Sequence, residues 1–370
     1  MLTTGADART RGRRRALGRP RTALVAVASL LAAALVALLA IRLAPTGEAS
    51  RPPAVVGYMA PWSSANGLAS LDRATSKLTE ISPVWYVPDA AGQVVLSIDD
   101  HINATVREPT RAKARSAHLR LTPTISNYHD GSWDGELVAR LVGPGQRDEH
   151  VDHIVKLVAA EGYDGIDIDY ESLPDNLRTS YTSFLSLLAE KLHAQHKRLS
   201  VAVPAKTAEP GPPGTRAMDY RAIGRVVDQL RVMTYDYSWT ESPPGPVAPI
   251  RWVRQVLDFA LAEVDRDRIL LGIGTYGYDW TEGADQAEVL TWVDIQRIAA
   301  EVGASPDYHK DTQSPSFSFV RDGRRHTVWF ENDRSAAAKM ALARQRHVQG
   351  VHLWKLGGED PALWQSPNDH

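Results

Sequence analysis

The chain has 370 residues, 43% of them hydrophobic and 23% charged, and no cysteine. That composition supplies a large packed core and excludes a disordered chain, while the absent cysteine excludes disulfides, thiolate metal sites and a cysteine nucleophile. Residues 1–50 hold eight Arg against Asp7 and Glu48, which leaves 34 basic and 42 acidic side chains elsewhere, a mildly acidic body that disfavours nucleic acid as a partner.

Seven arginines from Arg9 to Arg21 precede an almost uninterrupted apolar run at 23–41. Nineteen residues come close to the roughly 20 a helix needs to span a bilayer, whereas a cleavable signal has a shorter apolar core. The arginines would hold the N-terminus in the cytoplasm and put the remainder outside. The expected order is a basic cytoplasmic segment (1–21), a transmembrane anchor or signal segment (22–42), a linker (43–53) and an extracytoplasmic body (54–370).

In the body, apolar runs of strand length alternate with amphipathic stretches of helical length, the pattern of βα units. Strands are predicted at 54–62, 81–87, 119–126, 165–171, 199–204, 230–237, 269–276 and 350–354, and helices at 150–161, 181–196, 250–264 and 335–348. Eight such units predict an α/β fold, a (β/α)8 TIM barrel whose active site is built at the C-terminal ends of the strands. About 70 residues separate the last two strands, too many for a simple helical return. A small α+β insertion is expected at about 281–330, with a β-hairpin whose strands, 317–320 and 326–330, flank Arg321-Asp322-Gly323-Arg324-Arg325.

The fourth strand carries Asp167, Asp169 and Glu171, preceded by Asp164. Alternation along a strand puts these three acids on one face and Ile166, Ile168 and Tyr170 on the other. The apolar set can pack under the helices, so the acids face the lumen. Carboxyl groups stacked about 6.5 Å apart cannot all ionise cheaply in a confined site, and their pKa values should be pushed apart. Glu171, last and most exposed, is the natural proton donor. Acids at barrel strand ends also ligate metals, and a structural ion network is a further reading. No histidine falls on this strand, however, no compact metal-ligand motif occurs, and burying unneeded carboxylates is costly. Asp164 is expected to fix the start of the strand.

The run from Asp164 to Glu171, Asp-Gly-Ile-Asp-Ile-Asp-Tyr-Glu, resembles the D-G-x-D-x-D-x-E signature of family 18 glycoside hydrolases, the chitinases and their relatives. Met233-Thr234-Tyr235-Asp236 resembles the family's M-x-Y-D, and Trp354 falls where the family has its tryptophan floor; the likeness runs in order over 55–364. The stretches at 245–249, 272–280 and 353–360 resemble the bacterial branch of spore-cortex and cell-wall N-acetylglucosaminidases. The resemblance implies hydrolysis of β-1,4-linked N-acetylglucosamine polymers, in chitin-type oligosaccharides or peptidoglycan glycan, with retention and with the sugar's own acetamido group as nucleophile. It also implies catalytic roles for Glu171, Asp169, Asp167 and Tyr235. Asp167 would share a proton with Asp169. Asp236, Trp354, Met233, Tyr58, Asn127 and Tyr276 are the expected substrate contacts, although Asn127 reads equally as a turn residue. No cofactor or metal is implied, and the protein is expected to act as a monomer.

Trp62, Trp133, Trp239 and Trp280 also fall at or beyond strand ends and are candidate sugar-stacking walls; Trp85, Trp252, Trp292 and Trp329 read as packing. Asp279 and Glu359 suit salt bridges as well as sugar contacts. Two rival readings are a lectin-like barrel that binds sugar without cutting it and a metal-dependent polysaccharide deacetylase.

Overall fold

The structure, a computed structural model, describes residues 53–98, 102–129 and 131–365. The expected basic and apolar segments at 1–42 lie outside the described residues. Among the described residues no helix is long and apolar enough to cross a membrane.

The barrel strands are β1 (Ala54–Met59), β2 (Glu80–Pro88), β3 (Thr124–Ser126, led in by Arg120–Leu121), β4 (Gly165–Asp169), β5 (Arg198–Pro204), β6 (Gln229–Met233), β7 (Ile269–Gly274) and β8 (Gly350–Trp354). Each pairs in parallel with the next in sequence. Strand β8 returns to β1 from Ala54↔Gly350 to Gly57↔Leu353, which closes the sheet. The eight expected strands are present, but β1, β4, β6 and β7 end two or more residues early. Their last residues leave the ladder to form the loops of the site, where Ser172 and Asp236 take positive φ of 54° and 59°. The expected third strand is interrupted at Pro123, which has no N–H to donate, and its pairing with β2 shifts register just beyond, between Val84↔Thr124 and Tyr86↔Ile125.

Alternation on β4 sorts the side chains as their chemistry requires. Ile166, Ile168 and Tyr170 point outward and are fully buried in one core with Tyr181, Phe184, Leu185 and Leu188 of the helix Arg178–His193. Burying an aliphatic side chain of this size contributes roughly 1.5–3 kcal/mol, so these three positions anchor the strand that carries the acids. His150 of the helix Arg147–Glu161 is sealed in this layer and stacks on Phe184. Its Nδ1 donates to the Gly92 carbonyl at 2.8 Å and its Nε2 accepts from the Tyr170 hydroxyl at 2.9 Å. Burial lowers its pKa to about 4, so it is a neutral core histidine.

The insertion begins at Gly277, earlier than expected, because the chain passes from β7 almost directly into a second sheet. Five antiparallel strands, Gly277–Thr281, Glu288–Leu290, Asp307–His309, Ser314–Arg321 and Arg324–Phe330, carry the helix Trp292–Val302 over a small core of their own. The hairpin is longer than expected, with Arg321 paired to Arg324 across Asp322 and Gly323. Both turn residues have positive φ, 53° and 74°, the requirement of a type I′ turn that Asp-Gly meets.

Candidate active site

The floor of the lumen is polar. Arg231, fully buried on β6, donates to Glu80, to Ser82 Oγ at 2.7 Å and to Gln229 Oε1 at 2.8 Å. Burial alone would raise the Glu80 carboxyl, but Arg231 and Arg120 hold it below its ordinary value. One layer up, Arg231 Nη1 stands 3.3 Å from Asp167 Oδ1. Ser200 donates to the same oxygen at 2.6 Å, and Tyr58 and Thr124 donate to Oδ2 at 2.8 and 3.0 Å. Strand pairing produces this convergence, since Asp167 is in register with Thr124 on β3 and Ser200 on β5. With both oxygens held by donors from four other residues, Asp167 is an acceptor fixed in place. The proton sharing with Asp169 expected of it is not among these bonds.

Asp169 lies two residues nearer the mouth, still only 6% exposed, and its Oδ1 is buried without a hydrogen-bond partner. Burial, then the charges of Glu171 and Asp167, push its carboxyl well above the usual range. An unpartnered buried acceptor is costly and suits a site that a ligand's N–H completes. Glu171 sits just beyond the strand, where Asn127 holds its backbone at both ends: the amide Nδ2 donates to the Glu171 carbonyl at 2.9 Å and Oδ1 accepts the Glu171 N–H at 2.8 Å. Burial and the charge of Asp236 raise the Glu171 carboxyl to about 7.

The opposite wall comes from β6 and β7. Tyr235 lies below the rim, with burial, then Tyr58 and Asp169, keeping its hydroxyl protonated. Asp236 Oδ1 accepts from Tyr276 at 2.5 Å and from Tyr278 at 2.7 Å. Its carboxyl is raised by its protein surroundings, an effect those two hydrogen bonds oppose, although the residue itself opens to solvent at the groove mouth. Met233 is half-buried at the end of β6. Beneath this wall His352 donates to the Val232 carbonyl at 3.1 Å and is lowered to about 3 by burial and Arg231, hence neutral.

Trp354 edges against Tyr58 at 5.6 Å and against Trp62 at 6.2 Å, and Trp62 continues to Tyr128 and Trp133. Trp62 is 62% exposed and Trp239 45%, as a sugar-stacking wall requires. Trp280 is buried instead, its Nε1 bonded to the Ser242 carbonyl at 2.8 Å, where it packs the insertion against the loop after β6.

The structure thus brings Glu171, Asp169, Asp167, Tyr235, Asp236, Tyr276, Met233 and Trp354 to one end of the barrel. Two expected substrate contacts lie beneath the groove surface. Tyr58 is 2% exposed beneath Trp354 with its hydroxyl on Asp167, and Asn127 is 1% exposed with its amide on Glu171; both position carboxyl groups. Asp164 accepts the Leu121 N–H at 2.8 Å at the start of β4. Asp279 pairs with His326, and Glu359 takes Ser70, the Trp364 indole and the Gly357 N–H, so these acids are structural. Sequence inspection missed Arg231, Glu80, Ser200, Thr124 and Tyr278. The signal for Arg231 and Gln229 was two polar residues alternating with Leu230 and Val232 along one strand, which marks a polar lumen. Among the described residues no cluster of His, Asp and Glu is arranged to hold a metal ion.

A sequence model of Glycosyl hydrolases family 18 matches residues 54–359. The chain is 28% identical to the glycosylase YvbX of Bacillus subtilis (strain 168), covering 86% of this chain and 92% of that one. It is 33% identical to the cortical fragment-lytic enzyme of the same organism over 69% of this chain and 61% of the relative, and so spans less than two thirds of that protein. Among solved structures, a chitinase from Chromobacterium violaceum ATCC 12472 aligns with a TM-score of 0.78 and 31% identity, covering 85% of this chain and 97% of that one. The spore cortex-lytic enzyme SleL of Bacillus megaterium QM B1551 aligns with a TM-score of 0.76 and 26% identity, over 85% of this chain and 73% of its own.

Proposed function

The chain belongs to glycosyl hydrolase family 18, and we propose that it is a retaining glycosidase cutting β-1,4 bonds next to N-acetylglucosamine, in chitin-type oligosaccharides or peptidoglycan glycan, with the substrate's acetamido group as nucleophile. The observation that carries this reading is the pairing of Glu171, poised near neutrality, with Asp169, whose buried Oδ1 lacks a partner. In the first step the Glu171 carboxyl gives its proton to the glycosidic oxygen as the bond from that oxygen to the anomeric carbon breaks. The acetamido oxygen bonds to the same carbon, forming an oxazolinium ion. Asp169 accepts the acetamido N–H and offsets the developing positive charge, while Tyr235 orients the acetamido oxygen. In the second step the Glu171 carboxylate takes a proton from water, whose oxygen reopens the ring, and the acid is restored. Asp167, fixed by its four partners, holds the charge pattern beneath Asp169, and Trp354 floors the sugar.

Glu171→Gln keeps the shape and removes the proton. Release of a chromogenic aglycone from an N-acetylglucosamine glycoside should fall by about 10²–10⁴-fold, the usual weight of general acid–base catalysis, with affinity for a chito-oligosaccharide retained. Unchanged turnover would remove Glu171 from this role. Product analysis on chitin oligomers beside purified peptidoglycan separates the two substrate classes.

We further propose that the body lies outside the cytoplasm, held by the segment at 22–42 or secreted if that segment is cleaved. Support for this comes from the sequence alone, an arginine cluster followed by 19 apolar residues. An anchored protein should stay with the membrane pellet through alkaline carbonate extraction, and release into the supernatant would count against the anchor.

A further inference from the structure

Lys355 follows the tryptophan floor directly, and its main chain is held by one buried residue. Its N–H donates to Thr275 Oγ1 at 2.8 Å and its carbonyl accepts from the same hydroxyl at 2.6 Å, while the Thr275 N–H bonds the Trp354 carbonyl at 2.9 Å. The side chain therefore leaves from a fixed point in the groove wall. Its Nζ lies 5.1 Å from the centre of the Trp62 ring, beside the Trp62–Trp354 pair.

No carboxylate among the described residues stands within ion-pair distance of this ammonium. Lys113, Lys191, Lys206 and Lys339 reach Asp72, Asp152, Glu209 and Glu331; Lys355 differs from the remaining unpaired lysines in standing beside an aromatic pair of the groove. Burial lowers the Lys355 pKa to about 8, so the group is still mostly charged near neutrality, with part of its hydration lost and only an aromatic face in return. A desolvated cation without a counter-ion is an unfavourable arrangement in the free protein. It becomes favourable when a ligand supplies the anion, because a charge-assisted bond in a partly dry site is among the stronger polar contacts.

We propose that Lys355 is a specificity-determining residue that selects glycans bearing a carboxylate on the sugar next to the one stacked on Trp354. This rests on the reading of the groove as a binding site for N-acetylglucosamine polymers. A glycan that alternates N-acetylglucosamine with an acidic derivative carrying a 3-O-linked lactyl group places such a charge beside every neutral residue. The carboxylate can be the lactyl group itself or belong to an acidic peptide attached there.

The test is binding, measured by titration calorimetry on the full chain in a Glu171→Gln background so that the ligand stays intact. Probes are a peptide-free alternating oligosaccharide with free lactyl carboxylates, its methyl ester, and the same oligosaccharide carrying an acidic peptide. The acidic forms should bind about tenfold more tightly than the ester, as for one charge-assisted contact. Lys355→Gln should erase that gap and Lys355→Arg keep it. A gap with the peptide-bearing probe alone assigns the charge to the peptide. Equal affinity for all three probes, or a gap that survives Lys355→Gln, overturns the proposal. Discrimination without hydrolysis by the wild type keeps Lys355 in this role and overturns the catalytic reading; binding of none of the probes overturns both.

Discussion

Glu171 owes its acidity to position. Its carboxyl is raised first by burial and then by Asp236, so it is protonated below about pH 7 and can act as an acid where an ordinary glutamate would be ionised. The sign follows: the first step needs the protonated form, so kcat/KM should fall as pH rises through about 7. Asp236→Asn removes the charge that helps hold the proton, so the basic limb of the pH–rate profile should move to lower pH. A limb that stays in place would leave burial as the whole cause. Asp169 and Asp167 show the same logic in two directions. They share one face of β4, yet one has an unpartnered oxygen and the other is held by four partner side chains.

Between residues and the whole barrel stand the strand ends and loops that aim the acids. The Asn127 side chain spans from the loop after β3 to the loop after β4 and fixes the Glu171 backbone by two hydrogen bonds. Asn127→Ala leaves a buried N–H and carbonyl without partners, at about 1–3 kcal/mol each at most. We expect kcat to fall about tenfold or more with KM changed less, since a misplaced acid weakens the transition state more than binding. Loss of KM alone would make Asn127 a substrate contact after all. Legibility at this scale was uneven. Period-2 patterning located β4 and its inward acids, and Asp-Gly located the insertion hairpin. Strand ends and the partners of Tyr58 and Asn127 were not legible, because they depend on which strand lies alongside.

At the scale of the molecule, the lumen is a ladder of charge from Glu80 and Arg231 at the base through Asp167 to Asp169. Glu80 and Arg231 are fully sealed from water, so Glu80→Gln leaves Arg231 with Asp167 as its one remaining ion-pair partner among the described residues. Glu80→Gln should destabilise the fold by about 1–3 kcal/mol, the weight of a lost charge-assisted bond, read as a lower urea midpoint with an unchanged slope. It should also lower activity, because Arg231 orients Asp167. A loss of stability under about 0.5 kcal/mol would mean that water or relaxation relieves the charge.

The sequence by itself determined the barrel, the acidic face of β4 and the family, because strand periodicity and an eight-residue run are local properties of the chain. Only the tertiary structure decided which side chains touch. Closure of the sheet places Arg231 under Asp167, lays Asn127 against Glu171 and sets Lys355 over Trp62, pairs separated by 44 to 293 positions in the chain. Contacts of that range have no signature in the spacing of neighbours, since they arise from strand register and burial.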